Sequence, residues 1–112
     1  MRTQKSLDAE STAYTHNPAV STAAVITVAA DEDHEWVIDE MDASYDDPTQ
    51  GAGTLIVSAG GTVIWKRQFD AVNNVWQFTF KRGLSGGSKN EALVITLLAV
   101  TGATGSLNAN IR

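Results

Sequence analysis

From Val20 onward the chain consists of short runs of β-branched and aromatic residues, broken roughly every 8 to 15 residues by clusters of Gly, Asn, Asp and Ser. Within the runs apolar and polar positions alternate, the period of a strand with one face on a core. The runs are Ala24–Ala30, then EWVIDEMDASY up to Tyr45, GTLIVSA, TVIWKRQF, WQFTFK, EALVITLLAV and SLNANI. WQFTFK is the cleanest, with Trp76, Phe78 and Phe80 on one parity and Gln77, Thr79 and Lys81 on the other. In TVIWKRQF, Val63, Trp65 and Phe69 share a parity with Arg67. Leu93, Ile95 and Leu97 oppose Val94, Thr96 and Leu98, which predicts a central strand covered on both sides or one at an interface. Leu107, Ala109 and Ile111 are expected to face inward.

Two breaks in the pattern carry information. Trp36 and Ile38 alternate on one parity, and Met41, Ala43 and Tyr45 on the other. A one-residue slip of this kind predicts a β-bulge at Asp39–Glu40, which returns apolar side chains to the core face. Gly60 and Gly61 separate two runs and predict a tight hairpin, because glycine accepts positive φ at little cost. RGLSGGSKN is expected to be a flexible loop and DAVNNV a connection. The aromatics Trp36, Trp65, Trp76, Phe78 and Phe80 are expected to fill the space between two sheets, with a sugar-stacking platform as the functional alternative.

Seven or eight strands and no convincing long helix predict an all-β antiparallel sandwich or barrel. Residues 1–19 hold only Leu7 and Tyr14 as large apolar groups and show neither period. They are expected to form a flexible N-terminal arm ahead of one domain over residues 20–112, with a short helix at Ser6–Ala13 as the alternative. At 112 residues the chain suits a single core.

Composition narrows function by exclusion. Eight basic and thirteen acidic residues give a net charge of −5, which disfavours a broad phosphate-binding face. The charges are segregated. Nine of the thirteen acids lie between Asp31 and Asp47, while Lys66, Arg67, Lys81, Arg82, Lys89 and Arg112 follow later. Such a split suits two solvated faces of opposite sign, or head-to-tail contact between identical copies. No cysteine is present for a disulfide or thiolate site. No run approaches the ~18 apolar residues of a membrane span, and the first residues lack the apolar core of a secretory signal. A soluble protein made in a cytoplasm is the expectation.

The acidic stretch is the first place to look for chemistry. Asp31, Asp33 and Glu35 have the alternating spacing of a calcium loop, but Trp36 stands where such a loop turns on glycine. His16 and His34 are the only histidines, too few for zinc. No G-x-S-x-G is present, and GAG and SGG lack the lysine and helix of a phosphate cradle. No catalytic residue, cofactor or metal ligand is therefore expected, and the protein is not expected to be an enzyme.

The order HEWVIDEMDASYDD, GTLIVSAGGTVIW and LSGGSKNEALVITLLAVTGATGSLNANI resembles small β-sandwich virion proteins of tailed bacteriophages. His34, Val37, Ile38, Asp39, Ser44 and Tyr45 carry the first part, and Leu55, Val57, Gly60 and Gly61 the second. Leu84, Gly87, Asn90, Ala92, Leu93, Ile95, Thr96, Leu97, Gly105, Leu107 and Asn108 carry the third. The resemblance spans residues 34–111. It implies a jelly-roll sandwich of the head-decoration (cement) or head-fibre type on the capsid surface. Its partner would be the major capsid protein, and it would be a homo-oligomer, with a trimer favoured; neither nucleic acid nor membrane is implied. The acidic Asp31–Glu35 loop and the long polar arm depart from the family pattern.

Contact surfaces are expected on the arm and on the loop tips around Asp46–Gly51 and Leu84–Asn90. The residues singled out are Leu7, Tyr14, Asp46, Asp47, Gln50, Leu84, Lys89 and Asn90. Two alternatives stand beside this reading. One is a tail- or fibre-associated carbohydrate-binding sandwich, and the other is a calcium-dependent one using Asp31, Asp33 and Glu35.

Overall fold

The computed structural model describes residues 11–46, 53–69, 75–86 and 88–112, with Phe69 described by its backbone alone. Eight strands form two four-stranded sheets: β1 (Thr12–His16), β2 (Ala24–Val28), β3 (Val37–Tyr45), β4 (Gly53–Ala59), β5 (Thr62–Phe69), β6 (Val75–Ser85), β7 (Leu93–Leu97) and β8 (Gly105–Ile111). The first sheet runs β1-β8-β3-β6 and the second β2-β7-β4-β5, with every pairing antiparallel. This is the strand order of a jelly roll, in which successive strands alternate between the sheets except at the β4–β5 hairpin. The all-β sandwich expected from the sequence is thus the observed fold.

Alternation explains which residues meet between the sheets. β4, β7 and β8 each bury every second side chain, so Leu55, Val57, Leu93, Ile95, Leu97, Leu107 and Ile111 are all but inaccessible. Ile38, Met41, Ala43 and Tyr45 supply the same face of β3. The core is aliphatic apart from Tyr45, and no described polar or charged residue is buried. β7 is a central strand between β2 and β4 as expected, but its outer face is not covered, with Val94 and Thr96 only partly buried and Leu98 just beyond it 42% exposed.

The bulge expected at Asp39–Glu40 is present. Ile38 pairs with Ile111 and Glu40 with Asn110, leaving Asp39 as the extra residue against β8. Across the β6 ladder, Ile38 pairs with Leu84 and Glu40 with Thr79, so the register shifts there too and residues 80–83 of β6 stand opposite Asp39. Gly83 takes φ +81°, and a Cβ there would meet the Val37 side chain at 2.2 Å. The Gly60–Gly61 hairpin also forms, with φ of +58° and +85°, the doubly positive turn that matches strand twist.

Three expectations need correction. Residues 12–16, expected as part of a flexible arm, are strand β1, paired along its length with β8. Its Thr and Tyr suit a strand, yet only Tyr14 packs against the core, so the sequence shows too little apolar contrast to reveal an edge strand. Tertiary contacts hold it in place. The Val25 amide donates to His16 Nδ1 (2.8 Å), and Ser11 Oγ donates to Asp39. The flexible loop expected from Arg82 onward begins later, because Arg82–Ser85 continue β6, with Leu84 and Ser85 paired to Ile38 and Val37. Finally, Val63 and Trp65 do not share a face. Val57 pairs with Trp65 but Ser58 with Val63, which makes Ile64 the extra residue of a second bulge. Ile64 and Trp65 pack against the core, while Val63 is 56% exposed.

Candidate functional site

Three surfaces concentrate the chemistry of the described chain. The first is the acidic turn between β2 and β3. The Asp31 carbonyl accepts from the amides of His34 (3.1 Å) and Asn90 (2.9 Å), and its Oδ1 accepts from the Asp33 amide (2.9 Å). An aspartate that caps its own backbone two residues on is a turn former. Glu35 points elsewhere and accepts from Ser85 Oγ. Trp36 stacks on His34 with ring centroids 4.3 Å apart and donates from Nε1 to the Ala29 carbonyl (3.0 Å). Asp31 and Glu35 therefore engage different partners, and no three acidic or histidine side chains of the described residues gather as a metal-holding group. Asp31, Glu32 and Asp33 remain exposed at the tip.

The second surface is the outer face of the β1-β8-β3-β6 sheet. Because Met41 and Ala109 point inward, Glu40, Asp42, Asn108 and Asn110 point out. Asn108 Nδ2 donates to Asp42 Oδ1 (2.8 Å) and Asn110 Nδ2 to Glu40 Oε1 (2.6 Å). Together with Ala13 and Thr15 these residues line a shallow groove of about 310 Å³. Polar pairs sit one strand apart along the sheet, so the groove offers amide, carboxylate and hydroxyl groups in rows. At its margin the Arg112 guanidinium pairs with Asp39 (Nε–Oδ1 2.8 Å).

The third surface is the open side of the sandwich, where the edge strands β5 and β6 face one another. Trp65 and Arg67 oppose Val57 and Leu55 and so point toward β6; Trp76 and Phe78 oppose Ala43 and Met41 and point toward β5. Trp65 meets Phe78 and Phe80 edge-on, at 4.9 and 6.0 Å between centroids. The Arg67 guanidinium lies over both Trp65 (5.9 Å) and Phe78 (5.7 Å). Edge-on rings capped by a guanidinium are attractive arrangements in themselves. None of these aromatics is in the fully buried core, though all pack against it. The expectation that the five aromatics fill the space between the sheets is corrected accordingly: Trp65, Trp76, Phe78 and Phe80 close its open side, and Trp36 packs beside the acidic turn. Val63 and Val75 pair with the outward-facing Ser58 and Ser44 and so lie on the outer faces of the two sheets, 56% and 66% exposed.

Tyr45 ties the opposite end of the core together. Its hydroxyl donates to the Leu98 carbonyl (2.7 Å), and its ring lies so close to Gly53 that a Cβ there would stand 2.3 Å from it. Burial pushes its pKa up from 10.0 to about 12, with a backbone hydrogen bond at Thr54 opposing part of the rise. This is a packing role.

Of the contact residues expected from sequence, Leu7, Asp47 and Gln50 lie outside the described residues. Tyr14 faces inward from β1, and Leu84 pairs with Ile38 within β6, both against the core. Asp46 caps the far end, its Oδ1 accepting from the Thr104 amide (2.7 Å). Lys89 and Asn90 sit beside the acidic turn; Lys89 shares a cleft with Asp33, Glu35 and Arg112, and Asn90 takes φ +62°. The expected residues are thus spread over both ends and the interior. Sequence reasoning missed the surface that does assemble, Trp65–Arg67 with Phe78–Phe80. Its one legible signal was Arg67 on the parity of Trp65.

No protein-family model matches the chain, and no curated protein matches it. Among solved structures, PirA is similar, with a TM-score of 0.49 and 11% identity over 91% of this chain and 93% of that one. The CBM36-1 domain of a multidomain xylanase from the hindgut metagenome of Trinervitermes trinervoides is similar with a TM-score of 0.47 and 11% identity, covering 91% of this chain and 86% of that one. The insecticidal delta-endotoxin Cry8Ea1 from Bacillus thuringiensis gives a TM-score of 0.44 and 12% identity over 90% of this chain. The chain spans 18% of that toxin's length. These likenesses concern the fold, and no activity is carried across from them. Among the described residues, no helix is long and apolar enough to cross a membrane.

Proposed function

We propose that this protein is a non-enzymatic structural component of a tailed-phage virion, which binds the outside of the capsid and stabilises the shell. The observation that carries the reading is the open side of the sandwich. Half-buried aromatic rings capped by an exposed arginine line it, the composition that marks protein contact surfaces. The resemblance of residues 34–111 to phage virion sandwiches supplies the context, although most of its matching apolar residues are core positions in this fold. A protein that binds only the assembled shell stabilises that shell by mass action. Mixing the purified chain with expanded, undecorated capsids tests this. Co-sedimentation and a raised capsid melting temperature are expected; absence of both overturns the proposal.

The groove over Asp42, Glu40, Asn108 and Asn110 favours a second reading, a carbohydrate-binding module. Rows of amides and carboxylates suit a hydroxyl-rich ligand. Binding to a glycan array that is lost in Asn108→Ala, with capsid binding absent, would replace the first reading by the second.

A further inference from the structure

The two sheets turn opposite characters outward. On the β1-β8-β3-β6 sheet the outer face carries Glu40 and Asp42, bonded to Asn110 and Asn108. On the β2-β7-β4-β5 sheet, Lys66 of the edge strand β5 is the one charged side chain among the described outward positions. Five large apolar side chains are exposed among the described residues, and Val25, Val63 and Leu98 of these belong to this second face. No described element covers the outer side of β7, which leaves an interface as the reading of its two-faced sequence.

The register across the two central strands shows what fits there. Ile56 of β4 stands beside Thr96 of β7, and Ser58 beside Val94. At the next level the Leu98 amide donates to the Thr54 carbonyl (2.9 Å), which sets these two side by side. Each pair joins one large apolar side chain to one small hydroxyl side chain. The large one lies on β4 in the Ile56–Thr96 pair and on β7 in the other two. We propose that two copies of this chain pack through this face, related by a two-fold axis that runs along the strands between β7 and β4. The axis exchanges the members of each pair, so Ile56 meets the second copy's Thr96, Val94 its Ser58 and Leu98 its Thr54. Every bulge then meets a hollow, as packing between aligned sheets requires. Val25 and Lys66 lie at the level of Thr96 and Ile56, so the lysine stem covers the second copy's Val25 and its ammonium stays at the rim. An axis across the strands at that level would instead set Ile56 on Ile56 and Lys66 on Lys66, a poorer fit with like charges opposed. Three levels of four positions, about 4.8 Å apart across the strands and about 6.8 Å along them, span roughly 400 Å² in plane. That is a small specific interface, so a dissociation constant in the micromolar range is expected. The open side and the polar groove stay free in this pair. The inference therefore goes beyond the capsid reading and does not depend on it, and it makes a dimer where the resemblance implies a trimer.

Sedimentation velocity on the full chain tests it. Between about 1 μM and about 1 mM the wild type should pass from monomer to dimer. Raising salt to about 1 M should not dissociate the dimer, because screening weakens charge contacts and this one is apolar. Ile56→Lys and Thr96→Glu should each weaken dimerisation at least about tenfold, since each buries an unpaired charge. An equimolar mixture of the two should recover it: the new charges oppose each other at one contact, and the other keeps its wild-type pair. Leu98→Asp, at an exposed strand end, should show the same loss and stands in if a central variant changes the circular dichroism spectrum. Thr79→Lys, on the outer face of the other sheet, should dimerise like the wild type. A wild type that stays monomeric throughout, a Thr79→Lys variant as impaired as Ile56→Lys, or a mixture that stays monomeric would each overturn the inference.

Discussion

The middle of the sandwich and its β5–β6 side are built from the same alternating code, yet they solve different problems. In the middle, Leu107, Ile95, Leu55 and Ile38 meet from strands that have neighbours on both sides, and they are fully buried. On the open side, Trp65, Phe78 and Phe80 also point inward, but β5 and β6 are edge strands and have no neighbour beyond them. Large rings reach across the gap that aliphatic chains would leave, and Arg67 closes over them. Inward parity at an edge therefore does not settle burial by itself: on edge strand β2 it buries Ala24, Ile26 and Val28, whereas on β5 and β6 it yields a half-exposed surface that is available to a partner.

The comparison can be broken at its core end first. Leu107→Ala should cost about 2–5 kcal/mol, measured as a shift of the urea midpoint, because the cavity lies between two sheets that cannot collapse onto it. A loss under about 1 kcal/mol would mean that the middle is no better packed than the flank. Alkaline pH tests the same core at Tyr45. Below pH 10 both folded and unfolded states keep the phenolic proton; between 10 and about 12 the unfolded tyrosine releases it while the folded one retains it. Stability should then fall by roughly 2–3 kcal/mol across that window, a decline that Tyr45→Phe should lack.

On the flank the expected effects are smaller. Trp65→Ala should cost about 1–2 kcal/mol, less than Leu107→Ala despite the larger side chain, since the ring is only half removed from water. If it costs as much as the core substitution, the seam belongs to the core. Arg67→Ala should change stability by less than about 1 kcal/mol, and tryptophan fluorescence should become easier to quench with iodide as the cap over Trp65 is lost. An unchanged quenching constant would mean that the guanidinium does not shield the ring.

Much of the fold was legible in the chain because strand alternation is a local property. The face of β4, β7 and β8, the slip at Asp39 and the Gly60–Gly61 hairpin each follow from steric rules that act within a few residues. The slip at Ile64 was not legible, since Val-Ile-Trp is apolar in either phase and no polar residue marks the change. β1 was missed for the opposite reason: an edge strand with a single inward apolar residue looks like coil. As for the candidate surface, its residues could be named from sequence but not assembled. Nothing in TVIWKRQF or WQFTFK says that the two strands lie in different sheets and face each other at an open side.

By itself, then, the sequence determined that this is an antiparallel all-β sandwich or barrel, where most strands begin, and which side chains of β3, β4, β7 and β8 face inward, because φ/ψ sterics and period-two alternation leave few other options. The tertiary structure alone decided which inward residues are sealed and which remain at an open edge, and that the rings of β5 and β6 meet across that edge. Those outcomes depend on the pairing order β1-β8-β3-β6 over β2-β7-β4-β5. Contacts between residues far apart in the chain select that order, and no local pattern encodes it.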